Sequence, residues 1–598
     1  ELVRNWAAGA GALAAVRDME NSPSDAWRPV FGGLADLGLF GVAVAEDAGG
    51  AGGSVEDLCA MIEEAAGALV PGLIVPSALA TLVVDATTVV DGARVLSSLM
   101  SGERTAGAAL TAELTLVDGR VSGVSDQVLG AGPGSVLLLP AADRVVLVDS
   151  GAAGVTVEPL AATDFSRPLA RVTLESVPVE TLSISVSRFR DLAATLMAAE
   201  AVGGARWCLE TATEYAKVRE QFGKPIGSFQ AIKHICAEML LRAEQVSVAA
   251  ADAAVAVSAE GDQLSIAAAI AAATGVEAAK ANAKDCVQVL GGIGITWEHD
   301  AHLYLRRAYG IGHFLGGASR WLRQVVELTL SGVRRDLHIE LDSVEHLQSE
   351  IETAVAAVAA LPPSARQPAL ADSGLLAPHW PIPYGRAASP AEQLLIDREL
   401  SRAGIQRPDL VIGWWAVPTI LEAGTAEQIG RFVPATLRGE VIWCQLFSEP
   451  GAGSDLAALR TKAVRAEGGW RLTGQKVWTS AAHKAHWGVC LARTDAEAPK
   501  HKGITYFLVD MTSPGIVIRP LREITGDELF NEVFFDDVFV PDEMVVGNVN
   551  DGWRLARTTL ANERVAMAQG TALGNPMEAL LRVVAEGDAD AALQERLG

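Results

Sequence analysis

The chain repeats itself. Leu34-Ala35-Asp36-Leu37-Gly38-Leu39 returns 336 residues later as Leu370-Ala371-Asp372-Ser373-Gly374-Leu375. At the same offset Glu56-Asp57-Leu58 faces Glu392-Gln393-Leu394 and Glu63 faces Glu399, and Gly102-Glu103 meets Gly439-Glu440 at 337. One short match arises by chance; an offset held through three, and within one residue through a fourth, does not. The period is that of whole domains, far above the roughly 20–50 residues of a solenoid unit. The 598 residues therefore read as two diverged copies of one unit, because a single core rarely grows past about 250–300 residues.

Each copy follows one order. Apolar residues at helical spacing, broken by Pro and Gly clusters, fill 1–98 in copy one. Short β-branched runs such as Val136–Leu139, Val145–Val148 and Val155–Val157 then mark a small β-domain, 99–184. Long Ala- and Leu-rich helices occupy 185–333. In copy two a linker and helical domain span 334–438 and a β-domain spans 439–545, with runs at Ile504–Val509, Ile516–Ile518 and Val533–Val540. The start of a last helical domain covers 546–598, so the second copy reads as truncated. The fold class is α+β multidomain, each copy a helical bundle, a small β-domain and a helical bundle.

A formal charge of −25 and a pI near 4.9 argue against a nucleic-acid partner, which needs a basic surface. The six cysteines are scattered, with no C-x-x-C pair or zinc spacing; they read as reduced thiols of a cytoplasmic protein, and no metal is expected. The Ala-rich run around Ile266–Val276 is too weakly apolar for a membrane span, and no signal peptide is seen.

Two stretches in copy two carry chemistry. Phe447-Ser448-Glu449-Pro450-Gly451-Ala452-Gly453-Ser454-Asp455 is a loop whose N–H and hydroxyl groups are free to face a ligand. Leu472-Thr473-Gly474-Gln475-Lys476-Val477-Trp478-Thr479-Ser480 follows as a strand. Alone, the first is an ordinary turn and the second a strand with a core Trp. Together they resemble the acyl-CoA dehydrogenase family, and the resemblance covers nearly the whole chain as two tandem copies. It implies FAD, with Ser448 on the pyrimidine edge, Trp478 over the ring and Ser480 near N5. It also puts Ser454 on the flavin or acyl-CoA side of the same loop. Copy one has Gln127 and Leu129 in place of Trp478 and Ser480, and no Pro-Gly-x-Gly loop.

Copy one has a complementary set: Arg219-Glu220-Gln221-Phe222-Gly223 through Gln230, and Gln288-Val289-Leu290-Gly291-Gly292-Ile293-Gly294. Read alone these are a helix–helix turn and a helix C-cap. They resemble the family's stretches that bind flavin pyrophosphate and adenosine, which would give Arg219, Gln221, Phe222, Gln230, Gln288, Gly291 and Gly292 that role. One composite FAD site per chain is the expectation. The family's base is a Glu in one of two places. Copy one has Ala193 and Leu315 there, whereas copy two has Glu563 followed by Arg564 at the early place. The resemblance implies α,β-dehydrogenation of an acyl-CoA, with electron-transfer flavoprotein as acceptor, in a homodimer. It extends to fused actinobacterial dehydrogenases of steroid side chains, and the early base position suits bulky acyl groups. An acyl-CoA oxidase, or a silent scaffold needing a partner chain, stays open at this point.

Overall fold

The computed structural model describes residues 1–21, 25–87, 89–335, 341–570, 580–581, 583–585, 587 and 591–597. It divides into two compact units, Glu1–Leu337 with Leu580–Gly598, and His338–Ala579.

In the first unit, helices through Gly92–Met100 precede a sheet of β1 (Ala106–Ala108), β2 (Glu113–Val117), β3 (Arg120–Leu129), β4 (Val136–Ala141), β5 (Arg144–Asp149), β6 (Val155–Leu160), β7 (Leu169–Pro178) and β8 (Glu180–Ser185). The strand order is β6-β7-β3-β1-β4-β5-β8, with β2 on the flank of β3. Three long helices follow, Val186–Val218, Gln230–Val255 and Gln263–Leu290, then Ala301–Phe314 and Ala318–Leu330. Their Ala-rich faces let the helix axes approach closely. At Gly203 a Cβ would stand 2.1 Å from the Glu63 carbonyl, so only glycine fits that crossing. Gln263–Ile295 is long and apolar enough to cross a membrane, but 67% of its apolar window is buried inside the protein. That marks it as a core helix. A two-residue hairpin, β9 (Glu220–Gln221) and β10 (Lys224–Pro225), joins the first two long helices.

The second unit repeats the plan. Helices from Gln348–Ala359 to Ala426–Leu437 lead into β11 (Trp443–Leu446), β12 (Lys462–Ala466), β13 (Gly469–Ser480), β14 (Trp487–Arg493), β15 (Ile504–Asp510), β16 (Ile516–Pro520), β17 (Phe530–Pro541) and β18 (Val545–Val546), and helix Gly552–Gly570 follows. The order is β16-β17-β13-β12-β14-β15-β18, with β11 on β14. β11 pairs parallel to β14 as β1 pairs parallel to β4. The likeness extends to irregularities. β3 slips register against β7 at Val121/Gly123 and Ser125/Val128, and β13 slips against β17 at Leu472/Gly474 and Lys476/Thr479. Both pairs of slips are 351 residues apart, which places Gln127 opposite Trp478 and Leu129 opposite Ser480.

Two departures stand out. Between β1 and β2 run four residues, 109–112, where β11 and β12 are separated by fifteen, 447–461. The first copy thus lacks this loop itself, not just its side chains. The sequence also assigned all of 546–598 to the second copy, yet Leu580–Gly598 belongs to the first unit. There Ala591–Leu597 packs on Ala318–Leu330, and the Ser319 hydroxyl donates to Glu595 at 2.6 Å.

Candidate active site

The loop after β11 is held from beneath. Glu449 and Ala452 exchange two backbone hydrogen bonds of 3.0 Å, closing a turn over Pro450-Gly451. The Glu449 carboxylate accepts the backbone N–H groups of Arg460 (2.6 Å) and Thr461 (2.9 Å). It also pairs at 2.8 Å with Lys476 Nζ, which donates further to the carbonyls of Phe447 (3.1 Å) and Leu491 (2.8 Å). Lys476 is fully buried and all three of its protons are taken. Burial opposes the charge on Glu449, but Lys476 and the donated hydrogen bonds outweigh it and hold the carboxyl below its ordinary value. The clamp fixes Ser448, whose carbonyl accepts the Val477 N–H at 2.9 Å. Sequence reading passed over this pair. Lys476 shares strand parity with the buried Leu472, and an inward lysine demands a buried anion. In copy one the equivalent position is Ser125, buried and uncharged, as expected once the loop carrying Glu449 is gone.

Trp478 stands on the second β-bulge of β13 with φ of 59° and 62% of its surface exposed. The bulge turns the ring out of the sheet, where it meets Phe530 edge-on at 6.3 Å. Held in left-handed backbone and left in solvent, Trp478 is not a core residue, and its ring offers a flat apolar face. Ser448 and Ser480 are half-buried and Ser454 is exposed. Among the described residues the Ser448 and Ser480 hydroxyls have no hydrogen-bond partner. This surface of free hydroxyls and an upright indole fits a flavin ring.

Glu563 meets β11, the strand that leads into the Ser448 loop. It lies half-buried in helix Gly552–Gly570, and its carboxylate accepts Gln445 Nε2 at 3.1 Å from β11. Gln445 is itself oriented, since its Oε1 accepts Trp415 Nε1 at 2.6 Å. One turn earlier, the buried Thr559 meets Thr419 (2.8 Å) and Tyr506 (3.1 Å), fastening the helix to its neighbours. Gln445 and Trp415 carry no motif and were not found from sequence. Arg564 is exposed and, among the described residues, makes no ion pair, so the structure does not join it to Glu563.

In the first unit Asn282 donates to the carbonyls of Ala205 (3.3 Å) and Met239 (2.9 Å), which sets the three long helices level at that point. Counting from there at about 1.5 Å per residue, Val218, Gln230 and Leu290 lie at one end of the bundle. Arg219, Gln221, Phe222, Gln230, Gln288, Gly291 and Gly292 are all exposed at that end. Phe222 tips the β9–β10 hairpin with φ of 55° and 93% exposure. Gly291, at φ 65°, ends its helix in a conformation that favours glycine. Gln230 Nε2 lies 2.7 Å from His234 Nε2. Ala193 and Leu315, the two base positions of this copy, are fully buried and apolar.

Comparison with known proteins follows the same division. The family model for the acyl-CoA dehydrogenase N-terminal domain matches residues 1–103 and 344–440, that for the C-terminal domain 187–329, and that for the middle domain 444–538. Acyl-CoA dehydrogenase FadE34 of Mycobacterium tuberculosis is 70% identical over 610 aligned positions, spanning 100% of this chain and 85% of that protein. Acyl-CoA dehydrogenase IpdE1 of Mycolicibacterium smegmatis is 44% identical over 209 residues, 33% of this chain and 53% of that one. Among solved structures, a variant of the Tcur3481-Tcur3483 steroid ACAD is 27% identical with a TM-score of 0.51, over 55% of this chain and 96% of its own. The ChsE4-ChsE5 complex of Mycobacterium tuberculosis is 25% identical with a TM-score of 0.51, over 56% and 96%. With two copies of the architecture in one sequence and a relative 70% identical along all of it, the chain belongs to the acyl-CoA dehydrogenase family.

Proposed function

We propose that this protein dehydrogenates an acyl-CoA thioester between Cα and Cβ with FAD, and that its acyl group is bulky, of the steroid side-chain type. The observation that carries the reading is the 3.1 Å hydrogen bond between Gln445 and Glu563. It ties a carboxylate to the strand that leads into the Ser448 loop, so base and ring platform share one place in the second unit. Glu563 takes the α-proton of the thioester, and Gln445 holds its carboxylate in position for that transfer. When bound, FAD supplies the acceptor for the hydride leaving Cβ. Ser448, Ser480 and Trp478 orient the ring, and the Lys476–Glu449 clamp keeps their loop from yielding. Arg219 suits a pyrophosphate through its paired charged donors, with Gln221, Phe222, Gln230, Gln288, Gly291 and Gly292 around the adenosine.

The steroid reading is supported by the similarity to the Tcur3481-Tcur3483 steroid ACAD. The reduced cofactor needs a reoxidant, and an electron-transfer flavoprotein is the partner we assign. The six cysteines are free, which suits a reducing compartment, and we place the protein in the cytoplasm as a homodimer. The test is anaerobic titration of the purified yellow protein with a panel of acyl-CoA esters. Bleaching of the flavin's visible absorption by a steroid side-chain ester at stoichiometric amounts is expected, with weaker bleaching by short straight chains. A protein that carries flavin but bleaches with none of them overturns the reading.

A further inference from the structure

The first copy has kept a cavity where its ring site no longer exists. It measures about 520 Å³ and lies wholly within residues of the first unit. Leu110, Leu129, Leu169 and Phe314 give it apolar walls, and Gln127 and Arg320 bring polar groups to it. Leu129 stands where the second copy has Ser480, and the loop between β1 and β2 is too short to fill the space.

The charges around this cavity are not alike. Asp164 and Arg167 also reach it, but both are consumed by a buried network. Arg167 pairs with Asp164 (2.8 Å) and Glu200 (2.7 Å), and Arg307 pairs with the same two carboxylates at 2.8 and 2.9 Å. Arg320 is different. It is half-buried, and among the described residues no carboxylate lies within 4.0 Å of its guanidinium. Its near neighbour Arg190 is likewise without an ion pair and gives its Nε proton to the Leu110 carbonyl at 2.9 Å. Burial, and then Arg190, disfavour the charge on Arg320, and Asp191 only partly offsets them. The Asp191 carboxylate is occupied by the Ser265 hydroxyl (2.6 Å) and the Gln324 amide (3.3 Å). Arg320 thus brings a half-buried guanidinium to the cavity wall with no carboxylate partner among the described residues.

We propose that this cavity is a second ligand site, separate from the dehydrogenation site, which takes an apolar carboxylic acid with its carboxylate on Arg320. The guanidinium fork offers the paired donors a carboxylate accepts, and the leucine-lined interior removes the hydrocarbon body from water.

Sodium decanoate is the probe and 1-decanol its uncharged counterpart, each titrated calorimetrically into the full chain. Parent protein should bind both. Arg320→Gln should weaken decanoate about tenfold or more while leaving decanol unchanged, since only the acid loses charged hydrogen bonds. Arg320→Lys should recover part of the loss. Gln127→Glu, an exposed change at the cavity that places a carboxylate beside the ligand's own, should also weaken decanoate selectively. Leu129→Trp should fill the cavity and reduce both ligands. Failure of the parent to bind decanoate overturns the proposal. So does an affinity that Arg320→Gln and Gln127→Glu both leave unchanged, because that acid would be bound elsewhere in the chain.

Discussion

On the proposed mechanism the proton transfer falls to one carboxylate, that of Glu563. Removing a positioned general base lowers the rate by about 10² to 10⁴. Glu563→Gln keeps the shape and the contact with Gln445, so the variant should stay yellow and bind acyl-CoA, yet fail to bleach in stopped-flow mixing. A flavin that is still reduced at the parent rate would assign the proton to another group. Gln445 acts one step removed. Its amide is held by Trp415 on one side and holds Glu563 on the other. Gln445→Leu keeps the volume but frees the carboxylate to rotate, and the loss of one such bond, about 1 kcal/mol, should slow reduction roughly fivefold. Substrate affinity should not move. Gln445→Glu should be worse than leucine, since it sets two carboxylates side by side. Glu563 was legible because it sits in a short local stretch, LANERVAMA. Gln445 was not, because its meaning lies in a partner 118 residues away.

The bulged strand β13 and the loop after β11 form the element proposed to hold the flavin ring. Breaking a buried ion pair by removing one partner costs about 3–5 kcal/mol, because the survivor is left charged and unpaired. Lys476→Met should therefore lower the melting temperature and release flavin on ultrafiltration, although Lys476 lies beneath the loop and is fully buried. The acid response follows from Glu449, whose folded-state value lies below its ordinary 4.5. Its contribution is complete above that value and is lost as pH falls through the lower, folded one. Flavin retention should be flat from neutral pH to the carboxylate range and then fall. Glu449→Gln should remove that part of the acid dependence. An acid profile identical in parent and variant would show that other carboxylates control it. The glycines, the Pro-Gly turn and the Trp announced this element in the sequence, but its bulge and its clamp did not appear there.

Across the whole molecule, the two copies have kept different halves of one inheritance. The ring platform of free hydroxyls and Trp478 occurs in the second copy, while the first has Gln127, Leu129 and a four-residue connection in its place. Released FAD, measured against protein, should approach one per chain. A ratio near two would require the first copy to hold a ring without a loop or an indole, and would refute the division. The cavity left in the first copy is no replacement for a flavin site, since Leu129 and the shortened loop supply none of the ring's hydrogen bonds.

The amino-acid sequence alone determined the duplication, the order of helical and β-domains in each copy, and the copy that carries the Pro-Gly loop and the Trp-bearing strand. These are matters of periodicity and short motifs, which the backbone reads locally. Only the tertiary structure decided that the equivalent register slips recur 351 residues apart, that Leu580–Gly598 packs with the first unit, and that Lys476 is paired with Glu449 and Gln445 with Glu563. Such pairings depend on which distant groups are buried together, and burial turns an unremarkable charged or amide side chain into one that must find a partner.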